Sequence, residues 1–167
     1  ESKKAEKDII ASKAALEAIF NSPSSTKDSI LSLCKVINPS KSEISNLNED
    51  DMISFVDMAS LSNDGYIINM VDKKYAMVKN GGYTYFANGD IIIAKITPCM
   101  ENGKCALVSE LTNSIGFGSS EYHVFRVDTS KISREIVFAF LNRESIRKEA
   151  EKHFTGSSGH RRVPVAF

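Results

Sequence analysis

The chain has 167 residues, 42% hydrophobic and 25% charged, and its 21 basic and 21 acidic side chains cancel. This composition fits one compact domain with an appendage and excludes collagen-like, low-complexity and wholly disordered chains. No apolar run approaches the roughly 20 residues of a bilayer-spanning helix, so no membrane partner is expected.

In chain order, residues 3–20 are predicted to form a helix. Ile9, Leu16, Ile19 and Phe20 supply an apolar stripe and four alanines supply helix propensity. Asn21-Ser22-Pro23-Ser24-Ser25 ends it, because proline cannot continue the hydrogen-bond ladder. So short a helix is marginal alone. It either docks on its own domain or forms one strand of a coiled coil with a partner outside this chain.

A short apolar segment from Ile30 to Ile37 follows, closed by Asn38-Pro39. Strand-like runs are then predicted at 52–58, 66–71, 91–97, 104–109 and 122–127. They are separated by turn chemistry at Asn63-Asp64-Gly65, Gly81-Gly82, Asn88-Gly89, Asn102-Gly103 and Gly116-Phe117-Gly118. No helix longer than two turns fits between them, which excludes a parallel βαβ sheet. The expected class is α+β, with a twisted, barrel-like, mostly antiparallel sheet and short flanking helices. Residues 133–154 return to helical spacing, with Ser133 as N-cap and a break at Asn142-Arg143 between two helices. A loop rich in glycine and hydroxyl groups, Thr155-Gly156-Ser157-Ser158-Gly159-His160-Arg161-Arg162, comes last.

The neutral total conceals local imbalance. Residues 41–72 carry seven acids against one lysine, whereas 73–104 carry five lysines against two acids, and 134–167 seven basic residues against four acids. Three cysteines without a CxxC pair point to a reducing compartment, and no charged-then-apolar leader opens the chain, so a cytoplasmic protein is expected. The missing initiator Met and the abrupt end at Phe167 are those expected of an excised fragment.

Catalytic signatures are missing. Cys99, Cys105, His123, His153 and His160 lack the tight ligand pairs of a structural zinc site. Gly116-Phe117-Gly118-Ser119-Ser120-Glu121 and Gly156-Ser157-Ser158-Gly159 have neither nucleophile-elbow nor dinucleotide spacing, and their glycines are expected to serve turns with positive φ. Asp90 and Lys95 lack the second carboxylate and paired lysine that would hold Mg²⁺ in a nuclease, and Asn88-Gly89-Asp90 is expected to start a buried strand. There is no Asn/Asp-Pro-Pro-aromatic run of a base-flipping amino-methyltransferase. What remains is a binding surface. Lys95, Thr97, Asn102 and Lys104 surround one loop and the Thr155–Arg162 stretch forms another, both suited to phosphate oxygens and base edges, or else to plain solvated turns.

The run from Asn88 to Lys104, the run Gly116-Phe117-Gly118-Ser119-Ser120-Glu121-Tyr122-His123-Val124 and the run from Thr155 to Pro164 resemble, in order, the target-recognition domain of type I restriction–modification specificity subunits. The resemblance covers roughly residues 28–167, and the helix before it resembles the family's spacer helix. It implies a spacer segment at 1–22 and a DNA-reading domain at 27–167, with no catalytic residue, metal or cofactor of its own. S-adenosylmethionine, ATP and Mg would belong to methyltransferase and restriction subunits, and a second recognition domain or a dimer partner would join through the helix. Mapped onto these blocks, Lys95 and Lys104 would lie near phosphates and Asn102 would fix the turn or meet a base. Thr155, Ser157 and Ser158 would position the backbone, while His160, Arg161 or Arg162 would reach phosphate or guanine. Because family-wide motifs can hold the fold while variable segments read sequence, Lys73, Lys74, Lys79, Tyr83 and Tyr85 are the alternative base readers. Two other readings stand beside this one: a recognition module fused to a restriction–methyltransferase enzyme, and a protein-interaction module that uses the N-terminal helix.

Overall fold

The computed structural model describes residues 14, 15, 17, 18, 20, 21, 29–157 and 159–167. The elements in chain order are a short helix α1 (Ile30–Leu33) and strands β1 (Cys34–Ile37), β2 (Met52–Val56), β3 (Val71–Lys74), β4 (Thr84–Ala87), β5 (Ile91–Ala94), β6 (Cys105–Leu107), β7 (Ile115–Gly118) and β8 (Tyr122–Val127). Helices α2 (Arg134–Leu141) and α3 (Glu144–Glu151) follow, and single 3₁₀ turns stand at Lys41–Ile44, Tyr75–Met77 and Thr112–Ser114.

The class is α+β. The strands form two open four-stranded sheets in the orders β1-β8-β5-β6 and β3-β2-β7-β4, rather than one barrel-like sheet. Every pairing is antiparallel except β2–β7, which is parallel through Ser54↔Gly116, Phe55↔Phe117 and Val56↔Gly118. Among the described residues no helix is long and apolar enough to cross a membrane.

Alternation along the strands explains the layers. Ile92, Ala106, Tyr122 and Val124 of the first sheet pack with Val56 and Phe86 of the second. Ile91, Phe125 and Val127 point the other way, with Ile93 and Leu107, against Val137, Phe138 and Leu141 of α2. The first sheet is thus covered on both faces, which is why β5 reads as a continuous apolar run instead of alternating. The second sheet's outer face carries Ile53, Tyr85 and Phe117 beneath Ile44 and Val78. Each fully buried Ile, Phe or Val contributes about 1.5–3 kcal/mol of transfer free energy.

Two expectations from the sequence require correction. Gly116-Phe117-Gly118 is not a turn: the segment is strand β7, and neither glycine has positive φ. Close approach demands glycine here, since a Cβ on Gly116 would stand 2.1 Å from Cε2 of Phe86 and one on Gly118 would stand 2.3 Å from the Val56 carbonyl oxygen. The stretch 66–71 is not a strand before Val71; the Ser62 hydroxyl accepts from the Asp64 and Tyr66 N–H groups and winds the chain into a turn. Strands β1 and β4 also form where only an apolar segment and a glycine-rich stretch were expected.

Elsewhere the chain folds as its residues dictate. Gly89, at φ 85°, makes the turn that starts β5, and Asp90 beside it is 1% exposed. Its carboxylate accepts from the Ala87 N–H at 2.8 Å and takes both Nε (2.7 Å) and Nη2 (2.8 Å) of Arg126, whose Nη1 also pairs with Glu43 at 2.5 Å. Asp90 is therefore a structural anion bridging a turn to β8. Ser133 caps α2 by accepting from the Ile136 N–H, and α2 and α3 break at Asn142-Arg143. Of the N-terminal helix, residues 14, 15, 17, 18 and 20 are helical, while Ile9, Leu16, Ile19 and the Pro23 stop lie outside the described residues. Glu17 pairs with Arg143, and the Phe20 and Phe140 rings meet edge-on at 5.3 Å, so this stretch packs on the helices of its own chain.

Candidate nucleic-acid interface

The first loop leaves β5 at Lys95 and returns at Lys104. Its Thr97–Pro98 bond is cis. Turn hydrogen bonds run from the Met100 N–H to the Ile96 carbonyl (3.0 Å), from Asn102 to Pro98 (3.0 Å) and from Gly103 to Met100 (3.0 Å), with Gly103 left-handed at φ 80°. Met100 anchors the loop from below, buried with Val163, Ala150 of α3 and Phe154. Asn102 is exposed at the tip. Lys104, however, turns inward: its ammonium donates to the carbonyls of Met58 (3.0 Å) and Leu61 (2.6 Å). It ties the loop to the turn after β2 and is no free cation for a phosphate.

The second loop is closed by a two-way backbone pair, Thr155 N–H to the Arg162 carbonyl (3.0 Å) and Arg162 N–H to the Thr155 carbonyl (2.9 Å). Gly156 and Gly159 take φ of 108° and 84°, and the His160 N–H donates to the Ser157 carbonyl at 3.0 Å. Ser158 lies outside the described residues.

The two loops, some sixty residues apart in sequence, are stitched together. The Thr97 N–H donates to the Arg161 carbonyl (3.0 Å), the Val163 N–H donates to the Lys95 carbonyl (2.9 Å), and Ile96 bridges Arg162. Between them lies an open cleft of about 480 Å³ lined by Thr97, Pro98, Gly159 and Arg161. The two adjacent arginines differ sharply. Arg162 forms a fork-to-fork pair with Glu121, Nε–Oε2 at 2.9 Å and Nη2–Oε1 at 2.6 Å, and its Nη1 donates to the His160 carbonyl at 2.8 Å. The Arg162 guanidinium holds the Glu121 carboxyl below the usual carboxylate range against the opposing effect of burial, with Lys95 adding to it. Arg161 is exposed, lies over the Phe154 ring at 5.3 Å, and makes no ion pair among the described residues.

Below this surface His123 of β8 is half-buried. Its Nε2 meets the Val163 carbonyl at 2.9 Å, and burial lowers its pKa from the usual imidazole value. Cys105 is buried, and desolvation pushes its thiol up to about 12, which keeps it protonated and inert. Among the described residues no group of three or more His, Cys, Asp or Glu side chains is placed to hold a metal ion.

Of the alternative base-reading residues, Lys73 and Lys74 lie on β3 and Tyr85 on β4 of the second sheet, and Lys79 and Tyr83 lie in the segment between those strands. Lys74 pairs with Asp50 at 2.7 Å, and Lys79 pairs with Glu49. The Lys73 ammonium lies 3.5 Å from the centroid of Phe55, against which the Tyr83 ring also packs edge-on. Tyr85 is 5% exposed and packs on Phe117, so its side chain is a core element. The acidic 41–72 segment thus folds onto the basic segment that follows it and neutralises part of its charge. Sequence reasoning missed Glu121 and Phe154 as parts of the site. Glu121 was inside the second family-like block, but only the fold reveals that it meets Arg162.

No protein-family model matches the chain. Over 153 residues, 90% of its length, it is 40% identical to the type I restriction enzyme EcoAI specificity subunit of Escherichia coli. The chain is homologous to type I specificity subunits. The EcoEI specificity subunit of the same organism is 37% identical over the same span, and the chain covers 25% of the length of each. In fold it resembles a chain from a type I R-M system, with a TM-score of 0.64 and 16% identity, covering 81% of this chain and 33% of that one. The HsdS subunit of Thermoanaerobacter tengcongensis gives a TM-score of 0.62 and 17% identity at the same coverages. At such identities these two likenesses establish architecture alone.

Proposed function

We propose that this chain is a target-recognition module of a type I specificity subunit, which binds duplex DNA sequence-specifically and leaves catalysis to other subunits. The observation that carries the reading is the 40% identity to a named specificity subunit across 90% of the chain. The stitched loops supply a surface suited to the task, because the exposed Arg161 lines their cleft together with Thr97. In this reading, methylation and cleavage, with S-adenosylmethionine, ATP and Mg²⁺, belong to methyltransferase and restriction subunits in the cytoplasm. The N-terminal helix, seated on its own chain through Glu17 and Phe20, would in addition meet a second recognition domain or a dimer partner, and solution mass with and without residues 1–22 tests that role.

Binding to a randomised duplex library at low salt, with bound sequences read out, tests the main reading. Enrichment of a short motif is expected, together with a linear fall of log affinity with log salt of about 0.9 per phosphate contact. No binding even at low salt would refute it. Substitution at Lys73, Lys79 or Tyr83 is expected to shift the enriched motif, whereas Arg161→Ala weakens binding to all sequences.

A further inference from the structure

We propose that Glu121 is a positioning residue of the DNA-contacting surface: it fixes Arg162 as a strut, so that the neighbouring Arg161 is the guanidinium offered to a backbone phosphate in the cleft that it lines with Thr97. The inference rests on the DNA-binding reading above and divides two adjacent arginines into different roles.

The geometry points this way from both sides. A guanidinium has five N–H donors, and on Arg162 each of the three nitrogens already has a partner, two on Glu121 and one on the His160 carbonyl. One N–H on Nη1 and one on Nη2 are left over, but the bidentate carboxylate already offsets the guanidinium charge, so a phosphate gains little by adding to it. The strut also ends where the loops meet. The Glu121 carbonyl accepts the Lys95 N–H at 2.9 Å, and the Arg162 backbone pairs with Thr155 and Ile96. Arg161 carries no such counter-charge among the described residues. It is exposed and lines the cleft, its guanidinium resting on the face of Phe154 with its donors free to point outward. Thr97, whose N–H is bonded to the Arg161 carbonyl, lines the same cleft. An acidic residue in a DNA-binding surface opposes the phosphates, and Glu121 is tolerated there because its charge is neutralised by Arg162.

Electrostatics and positioning predict opposite signs for one substitution. Glu121→Gln removes a negative charge, so through-space electrostatics alone would tighten DNA binding. If Glu121 positions the surface, Glu121→Gln weakens binding about three- to tenfold and lowers the log–log salt slope by about 0.9, one phosphate contact. Arg162→Lys keeps the positive charge but cannot form the fork. The strut role predicts the same loss for it, whereas direct phosphate contact by Arg162 predicts unchanged slope and affinity. The assay is fluorescence-anisotropy titration of this chain with a random-sequence duplex over a salt series, alongside urea unfolding of each variant. Arg161→Ala is expected to reproduce the loss, and to add nothing in the Glu121→Gln background. Equal or tighter binding by Glu121→Gln, or an unchanged slope for Arg162→Lys, overturns the inference while leaving the DNA-binding reading intact. Failure of the parent chain to bind duplex DNA overturns that reading, and the division of roles with it.

Discussion

Gly118→Ala tests the central pairing of the fold. Gly118 ends β7, paired in parallel with Val56 of β2, and these are the two inner strands of their sheet. A Cβ at this position would lie 2.3 Å from the Val56 carbonyl oxygen, 2.7 Å from Cε2 of Tyr122 and 3.2 Å from Cε1 of Phe86. A carbon and a carbonyl oxygen normally approach to about 3.3 Å, so the overlap with Val56 is about 1 Å. That oxygen is backbone, in a strand also held by β3 on its far side, and it cannot rotate away. The cost belongs at or above the top of the overpacking range, about 3 kcal/mol. For a domain of this size that corresponds to a Tm lower by about 6–12 °C. Urea unfolding followed by far-ultraviolet circular dichroism reads the change as a lower midpoint at constant m-value. Gly82→Ala is the matched control, because a Cβ there meets nothing within 4 Å, and it should stay within about 0.5 kcal/mol of the parent. A Gly118→Ala variant as stable as the parent, or a Gly82→Ala variant equally destabilised, would refute the steric account.

Lys104→Met removes the donor from two carbonyls and should destabilise the chain by about 1–3 kcal/mol in urea unfolding while leaving the DNA salt slope of the folded protein unchanged. A slope reduced as much as in Arg161→Ala would restore Lys104 as a phosphate contact. Asp90→Asn leaves the half-buried Arg126 with weakened compensation and is expected to cost about 2–4 kcal/mol, read by the same unfolding assay. A loss below about 0.5 kcal/mol would show that Glu43 suffices as its partner. His123 is a pH probe: burial depresses its folded-state pKa below the unfolded value of about 6.5. The stability tied to its neutral form is therefore complete above pH ~6.5 and is lost as pH falls through the folded pKa. His123→Gln should flatten that part of the stability profile between pH 7.5 and 5, and an unchanged profile would assign the slope to other groups.

Local chemistry was legible wherever it was self-sufficient. Strand β8 forms where the sequence shows a strand-like run bounded by a turn, and α2 and α3 follow the Ser133 cap and the Asn142-Arg143 break, since these signals lie within a few residues of what they control. Strand β7 was misread because two glycines look like a turn unless the Phe86 ring and the Val56 carbonyl that press on them are known, and both come from other strands. The site divides in the same way. The exposed position of Arg161 agrees with its sequence context, whereas the inward turn of Lys104 and the capture of Arg162 depend on Met58, Leu61 and Glu121, distant in sequence. Charge counts by segment located the basic stretches but not their neutralisation by Glu49 and Asp50.

The stitching of the two loops also sets the size of any exchangeable piece. A recombination event or an engineer that moved residues 155–162 alone between homologous subunits would carry over an arginine without its carboxylate, and a backbone edge cut to fit a different 95–104 loop. The smallest transplant that keeps its own shape comprises three separate stretches: the loop around Pro98, the turn at Glu121 and the segment from Phe154 to Val163. Chimeras swapped inside this set should bind DNA less well than either parent, whereas chimeras joined outside it should inherit the donor's preference intact.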